Sequence, residues 1–373
     1  MANRKQKKGA SMSIMSKLRI TLAGIALSAG LTTGALPASA ETITYLLPAP
    51  LSLPAFGPFV LAKQRGYYKA EGLDVEFQVG KGGVDVAKQV GAGNAVIGGG
   101  IGDTPIIVRP NGIPVKAVAV LGGGALMQLV MDKDKGLKTV KDLKGKTITV
   151  LSYQDTTYFA LLGMLASQGM TKDDVNAQAA GPVNVWKLFL AGQADAFAST
   201  PDWTAQVMMA KKPIEVIPSD QLFKSMAQAI VASDETIQKN PQLVEKVVRA
   251  TLKGMKAIMD DPVAAAADYV KAVPEHAGKE AAMAEIFRMY ITYVYEGQKV
   301  LGEMDEQRLA ALQEFYFVRV NRDWGRALVD DQRFAGSLAW AISEIALLTL
   351  ALVLVTQWPR AADATGSRAR AVS

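Results

Sequence analysis

Short apolar runs alternate along most of this chain with longer segments of helical period. Runs at 42–47, 73–79, 95–98, 115–121, 126–131, 147–151, 194–199, 214–218 and 227–232 predict strands. Between them, Phe59, Val60, Ala62 and Tyr67 are spaced for one face of a helix, with Gly66 and Gly72 as its stops. From Asp234 the pattern turns helical. Asn240-Pro241 is a helix start followed by the stripe Leu243, Val247, Val248 and Leu252, Asp261-Pro262 opens another helix, and Asp305 a third. Stripes such as Ile286, Met289, Tyr290 and Tyr293 read as core. Strand–helix alternation at this spacing predicts an α/β architecture with largely parallel sheets, and the length predicts two lobes.

The ends of the chain differ from this body. Arg4, Lys5, Lys7, Lys8, Lys17 and Arg19 form a basic start with no acid, an apolar run covers 20–36, and Ala38-Ser39-Ala40 has the small-x-small form of a cleavage site. Residues 1–40 therefore read as an export signal. These six cations equal the whole net charge of +6, which leaves the body near neutral. A basic balance confined to the leader, with no lysine or arginine cluster interleaved with aromatics, argues against nucleic acid as a partner. With no cysteine there are no disulfides, thiolate metal sites or cysteine nucleophiles. Residues 338–358 are almost wholly apolar, flanked by Trp340 and Trp358 and followed by Arg360, Arg368 and Arg370. This is the pattern of a transmembrane helix, with Glu344 near one end and 359–373 as a disordered tail.

The order of residues in Gly57-Pro58-Phe59-Val60-Leu61-Ala62-Lys63-Gln64-Arg65-Gly66-Tyr67-Tyr68-Lys69-Ala70-Glu71-Gly72-Leu73-Asp74-Val75-Glu76-Phe77 carries more than its periodicity. It resembles the first helix and second strand of the SsuA/THI5-like (NMT1) family of periplasmic substrate-binding proteins, and Asp142-Leu143-Lys144-Gly145-Lys146 resembles that family's turn into the second lobe. The resemblance implies the two-lobed periplasmic-binding-protein fold (type II-like) with a ligand cleft between lobes, here followed by a C-terminal hydrophobic helix. Crossings would fall near Gly122–Gly124 and Ser233-Asp234, giving lobe one as 41–122 with 235–332 and lobe two as 123–234. It implies capture of a sulfonate, nitrate, taurine or thiamine-pyrimidine-like molecule for an ABC permease, in the periplasm, with the C-terminal segment as a possible membrane tether. A membrane-tethered ligand sensor is the second reading.

Ligands of open α/β sheets sit beyond the carboxyl ends of strands. That rule selects Pro50, Leu51 and Ser52; Gly82 and Gly83; Gly102, Asp103 and Thr104; Tyr153, Asp155 and Thr156; and Asp202 with Trp203. The glycines would let backbone N–H groups approach a ligand. Asp103, Asp155 and Asp202 read either as N-caps or as carboxylates facing a basic, flat ligand between Tyr153, Tyr158 and Trp203. Replacing Asp202 or Trp203 by alanine is then expected to weaken binding and leave the unliganded melting temperature nearly unchanged. Gly145-Lys146-Thr147 and Gly98–Gly102 lack the spacing of phosphate and dinucleotide loops. The family also includes thiamine pyrimidine synthases, which rely on a cysteine-rich motif, iron and a histidine. Here cysteine is absent and the one histidine, His276, sits between Pro274 and Gly278 in what reads as a surface turn far from these loops. No enzyme activity, cofactor or metal is expected on these grounds.

Overall fold

The computed structural model describes residues 40–320. The segments expected to be an export signal (1–40) and a transmembrane helix (338–358) both fall outside them, Ala40 apart. No helix among the described residues is long and apolar enough to cross a membrane.

Ten strands form two five-stranded sheets. The first contains β1 (Glu41–Leu47), β2 (Leu73–Val79), β3 (Ile97–Ile101), β4 (Val115–Val120) and β10 (Gln228–Ser233), in the order β2-β1-β3-β10-β4. The second contains β5 (Gln128–Asp132), β6 (Thr147–Val150), β7 (Asn176–Ala179), β8 (Ala196–Ser199) and β9 (Ile214–Pro218), in the order β7-β6-β8-β5-β9. This is the two-lobed α/β architecture expected, but the sheets are mixed rather than largely parallel. β1–β3, β6–β7 and β6–β8 are parallel, whereas β10 runs antiparallel to β3 and β4, and β5 antiparallel to β8 and β9. Antiparallel strands arise where the chain enters a lobe from the other one and needs no crossover helix to reach its place. Because β10 lies inside the first sheet, the return crossing comes before Gln228, not at Ser233-Asp234.

Helices α1 (Gly57–Gln64), α2 (Gly83–Gly91) and α3 (Thr104–Val108) follow the strands of the first sheet, and α4 (Thr156–Ser167), α5 (Gly181–Leu190) and α6 (Pro201–Met209) those of the second. α7 (Pro241–Asp260), α8 (Pro262–Ala272), α9 (Glu280–Tyr290) and α10 (Glu306–Val318) are the longer helices after the last strand. Gly57 to Ala62 are all buried against α7, α8 and the sheet, so the first part of α1 is enclosed rather than presenting one apolar face, and only Lys63 and Gln64 at its end are exposed. Gly66 ends it at φ 71° and Gly72 turns the chain into β2 at φ 75°.

Both crossings between the lobes are held by α10. Arg308 donates to the carbonyls of Gly123 in the outgoing crossing and of Ser225 and Lys224 in the return, the last at 3.3 Å. Gly123 and Gly124 donate to Glu296 and Val294 at 3.1 and 3.0 Å. A Cβ on Gly122 or Gly124 would collide with the carbonyls of Val294 and Tyr293, so only glycine lets the outgoing strand lie this close.

Candidate functional site

The carboxyl ends of β1, β3, β6 and β8 all open into the space between the lobes. At one edge of that space the lobes are fastened. Gly83 N donates to Asp155 Oδ2 at 3.2 Å, Val84 N to the Gln154 carbonyl at 3.1 Å, and Ser152 Oγ to the Lys81 carbonyl at 2.8 Å. A Cβ on Gly82 would lie 2.6 Å from Asp155 Cα, and one on Gly83 2.7 Å from Thr156 Cγ2. Gly82 (φ 119°) and Gly83 thus make room for the opposite lobe. Tyr153 is half exposed outside this edge, its hydroxyl bonded to the Ala177 carbonyl at 3.0 Å and its ring edge-on to Tyr158 at 5.2 Å. The flat ligand walls expected from Tyr153 and Tyr158 are not formed.

All three aspartates are buried and engaged with protein partners. Asp155 caps α4 through Thr157 N at 2.9 Å while it holds Gly83. Asp103 reaches the return crossing, accepting from Met226 N at 2.8 Å and from the Tyr316 hydroxyl at 3.1 Å. Asp202 accepts from Thr200 Oγ1 at 2.6 Å and, across the lobes, from the Tyr290 hydroxyl of α9 at 2.7 Å. Asp155 bonds an amide of the helix it precedes, and Asp202 also receives the Trp203 amide of the helix it opens. Burial raises the pKa of each against these hydrogen bonds, and Asp103 is pushed up to about 6.

Gly102, Thr104, Pro50, Leu51 and Ser52 also make contacts within the protein. Gly102 donates to the Ala227 carbonyl at 3.1 Å with Met226 filling the place of its missing side chain, and Thr104 Oγ1 accepts from Ile101 N at 3.0 Å. The Pro50 carbonyl accepts from Leu53 N at 3.0 Å and Leu51 packs on the core. The Ser52 carbonyl receives two donors, the Tyr269 hydroxyl at 2.7 Å and His276 Nε2 at 2.8 Å. His276 is thus partly buried against the loop after β1, with its ring 5.8 Å from that of Tyr269, and not in a remote surface turn. Pro274 and Gly278, read as surface signals, shape the short turn that carries it there.

Trp203 divides the interlobe space in two. On its inner side, bounded by Pro48, Phe56, Thr156, Asp202 and Gln228, the cavity is only ≈ 40 Å³, about the room of one water. On its outer side a chamber of ≈ 590 Å³ opens, within the range of ligand pockets. Lobe two contributes Trp186, Lys187 and Trp203; lobe one contributes Leu53, His276 and Lys279. The buried Trp203 Nε1 has no hydrogen-bond partner among the described residues. Because the Ser52 carbonyl can only accept, His276 Nε2 carries a proton, leaving Nδ1 as the ring's other polar atom. Sequence reasoning found Trp203 and missed Trp186, His276 and the two lysines. A groove of similar size on lobe one, between α3 and α10, is lined by Pro105, Ile106, Leu309 and Phe317, and its Arg109 is paired with Asp234 at 3.0 Å. Among the described residues no group of three or more His, Cys, Asp or Glu is placed to hold a metal.

The described fold has known counterparts. The alkanesulfonate-binding protein SsuA of Xanthomonas axonopodis pv. citri, solved bound to MOPS, superposes with a TM-score of 0.60 at 17% identity, covering 76% of this chain and 95% of that one. That likeness shows the periplasmic-binding-protein fold. The riboflavin-binding protein RibY of Chloroflexus aurantiacus is 27% identical over 70% of this chain and 80% of its own length. A 4-amino-5-hydroxymethyl-2-methylpyrimidine phosphate synthase of Aspergillus parasiticus is 26% identical over 59% of this chain and 68% of its own. A family model for cytochrome c oxidase caa3 assembly factors matches 307–361, which overlaps α10 and then leaves the described residues.

The synthases correct the expectation that enzymes are excluded. Relatives that share most of this chain's length bear enzyme names, and His276, dismissed as remote, lies in the interlobe chamber. Lack of cysteine removes one kind of site and does not by itself exclude an enzyme. The NMT1/THI5-like family model matches residues 53–265, more than half of the sequence, and the chain belongs to that family.

Proposed function

We propose that this protein is the ligand-binding component of an ABC importer, acting in the periplasm, and that its ligand is a flat, nitrogen-containing aromatic molecule held in the chamber between Trp203, Trp186 and His276. The observation that carries this reading is the composition of that chamber. Two indoles and an imidazole line a space of ligand size drawn from both lobes. Indole faces attract flat rings and their cations, and the unpartnered Trp203 N–H is a donor for a ring nitrogen or carbonyl. The relatives point the same way, one being named for riboflavin and others for a pyrimidine. The SsuA likeness supports the importer role, with delivery of the closed, liganded form to a permease in the membrane.

The mechanism follows from the two lobes. A ligand touching both favours the closed arrangement by its differential affinity, and the Gly83–Asp155 bond joins the lobes in the arrangement described.

The test is a tryptophan-fluorescence titration of the full chain with riboflavin, 4-amino-5-hydroxymethyl-2-methylpyrimidine, taurine, an alkanesulfonate and nitrate. Saturable quenching by one of the two heteroaromatics is expected, with a Tm rise matching about 2.7 kcal/mol at a hundredfold excess over Kd. Binding of nitrate or taurine alone would overturn the aromatic reading.

A further inference from the structure

We infer that Tyr290 and Tyr295 of lobe one are alternative donors to the Asp202 carboxylate of lobe two, and that through this carboxylate they position the Trp203 wall of the chamber without touching its occupant. The inference rests on the chamber reading above and adds the residues that set how firmly the chamber shuts on any ligand.

The two tyrosines are five residues apart in the chain. On an α-helix that spacing would set them about 140° apart around the axis. Here α9 ends at Tyr290 and a wider, π-helical turn follows over Ile291–Tyr295, closed by the Glu296 amide on the Ile291 carbonyl at 3.1 Å. The extra residue in the turn brings the two side chains to the same side. Their rings stack with centroids 5.6 Å apart and planes inclined by 30°. Turns of this kind are rare and recur at functional sites. The same segment also reaches the outgoing crossing, where Gly124 N donates to the Val294 carbonyl at 3.0 Å.

One of the two hydroxyls is spent and the other is not. Tyr290 donates to Asp202 Oδ1 at 2.7 Å, whereas the Tyr295 hydroxyl is buried with no hydrogen-bond partner among the described residues. Burial and then the charge of Asp202 raise the pKa of both, so each stays a protonated donor beside that carboxylate. Asp202 already accepts from the Thr200 hydroxyl, the Tyr290 hydroxyl and the Trp203 amide. Its acceptor sites are nearly filled, so Tyr295 replaces Tyr290 and does not add to it. As the lobes swing, the carboxylate passes from one hydroxyl to the other and keeps a partner, which a buried charge requires. Asp202 precedes Trp203 directly in α6, and neither tyrosine lines the chamber. A device that acts on closure and not on the ligand changes the affinity of every ligand by one factor.

The experiment titrates the full chain and its Tyr290→Phe, Tyr295→Phe and double variants with the five compounds above, at a temperature where circular dichroism shows all four proteins folded. Small-angle scattering of the unliganded proteins accompanies it. Tyr295→Phe alone should leave affinity within about twofold of the wild type. Tyr290→Phe should weaken every ligand that binds by one common factor of about threefold, because Tyr295 takes its place. With both hydroxyls gone the loss should exceed the product of the single losses and reach about tenfold or more, as for a hydrogen bond to a charged group. A purely structural role for the rings would not produce that excess, since phenylalanine keeps them. The inference is overturned if the double variant binds as well as Tyr290→Phe, or if the factor changes from ligand to ligand, which would put the tyrosines against the occupant. If none of the five compounds binds the wild type, the chamber reading fails separately. The donor pair is then judged by scattering alone: a larger radius of gyration in the double variant than in either single one upholds it, and equal radii overturn it.

Discussion

The backbone amide of Gly83 in lobe one donates to the carboxylate of Asp155 in lobe two, and the same carboxylate caps the helix that lines the cleft. Lobe closure and local helix formation therefore share one side chain, and two substitutions separate them. Asp155→Ala removes both functions and should cost about 1–3 kcal/mol of unfolding free energy by leaving amides unpaired. Gly82→Ala spares the cap but puts a methyl 2.6 Å from Asp155 Cα at a φ of 119°, so the lobes cannot meet. We expect the Gly82→Ala protein to show a larger radius of gyration with ligand present, and an affinity lower by about tenfold or more. Small-angle scattering beside a titration decides this; an unchanged affinity would show that the fastening does not matter for binding.

Asp202 gives a prediction opposite to the one drawn from sequence. It is the acceptor for the buried Tyr290 hydroxyl across the lobes, so alanine at 202 strands that hydroxyl as well as Thr200. The unliganded Tm should fall, by an amount equivalent to about 1–3 kcal/mol. Tyr290→Phe combined with Asp202→Ala should recover part of the loss. A double variant as unstable as the single one would mean the bond contributes nothing.

Trp203 separates packing from recognition in the same helix. Its ring is buried but its N–H is unpartnered among the described residues. Trp203→Ala should therefore cost about 3–5 kcal/mol of stability. Trp203→Phe keeps most of the apolar bulk and removes the N–H, so its unliganded stability should fall far less. Ligand affinity should drop several-fold nonetheless, as for loss of one hydrogen bond. Equal affinity of the phenylalanine variant and the wild type would assign the indole to packing alone.

Asp103 predicts a pH dependence. Its pKa in the folded protein is raised to about 6, against ~3.9 in an unfolded chain. The folded state thus holds this proton more tightly, so the contribution to stability is full below pH ~4 and is lost as pH rises through about 6. The difference is worth about 3 kcal/mol at most. Arg308, Tyr316 and the Met226 amide face the same carboxylate and moderate the effect. Denaturant unfolding of the wild type and of Asp103→Asn at several pH values across that window should give curves that diverge. Parallel curves would show that Asp103 titrates normally.

Much of the architecture could be read from the chain because its helices and most strands announce themselves locally. Gly66 and Gly72 do take the left-handed conformations that their positions demanded. β7 was not visible, since Asn176-Ala177-Gln178-Ala179 is a short, exposed edge strand without an apolar face. With it went α5 and Trp186. The aspartates show a deeper limit. A residue at a helix start looks the same in sequence whether it caps that helix or reaches a partner far along the chain, as Asp103 does to Met226 and Asp202 to Tyr290. Gly82-Gly83 likewise records a close approach without naming what approaches. His276 was misplaced because proline and glycine mark a turn, and a turn can bury its contents against a loop more than two hundred residues away.

Arg308 pins two straps with one side chain. Each strap on its own could bend in its own direction, and two independent bends would let the lobes slide or twist as well as open. With the carbonyls of Gly123, Lys224 and Ser225 gathered on one guanidinium, and the glycines at 122–124 pressed against the 293–296 backbone, the straps share a single pivot. A lobe cannot then shift on one strap without drawing on the other, so the two crossings respond as one joint to whatever draws Gly83 and Asp155 together.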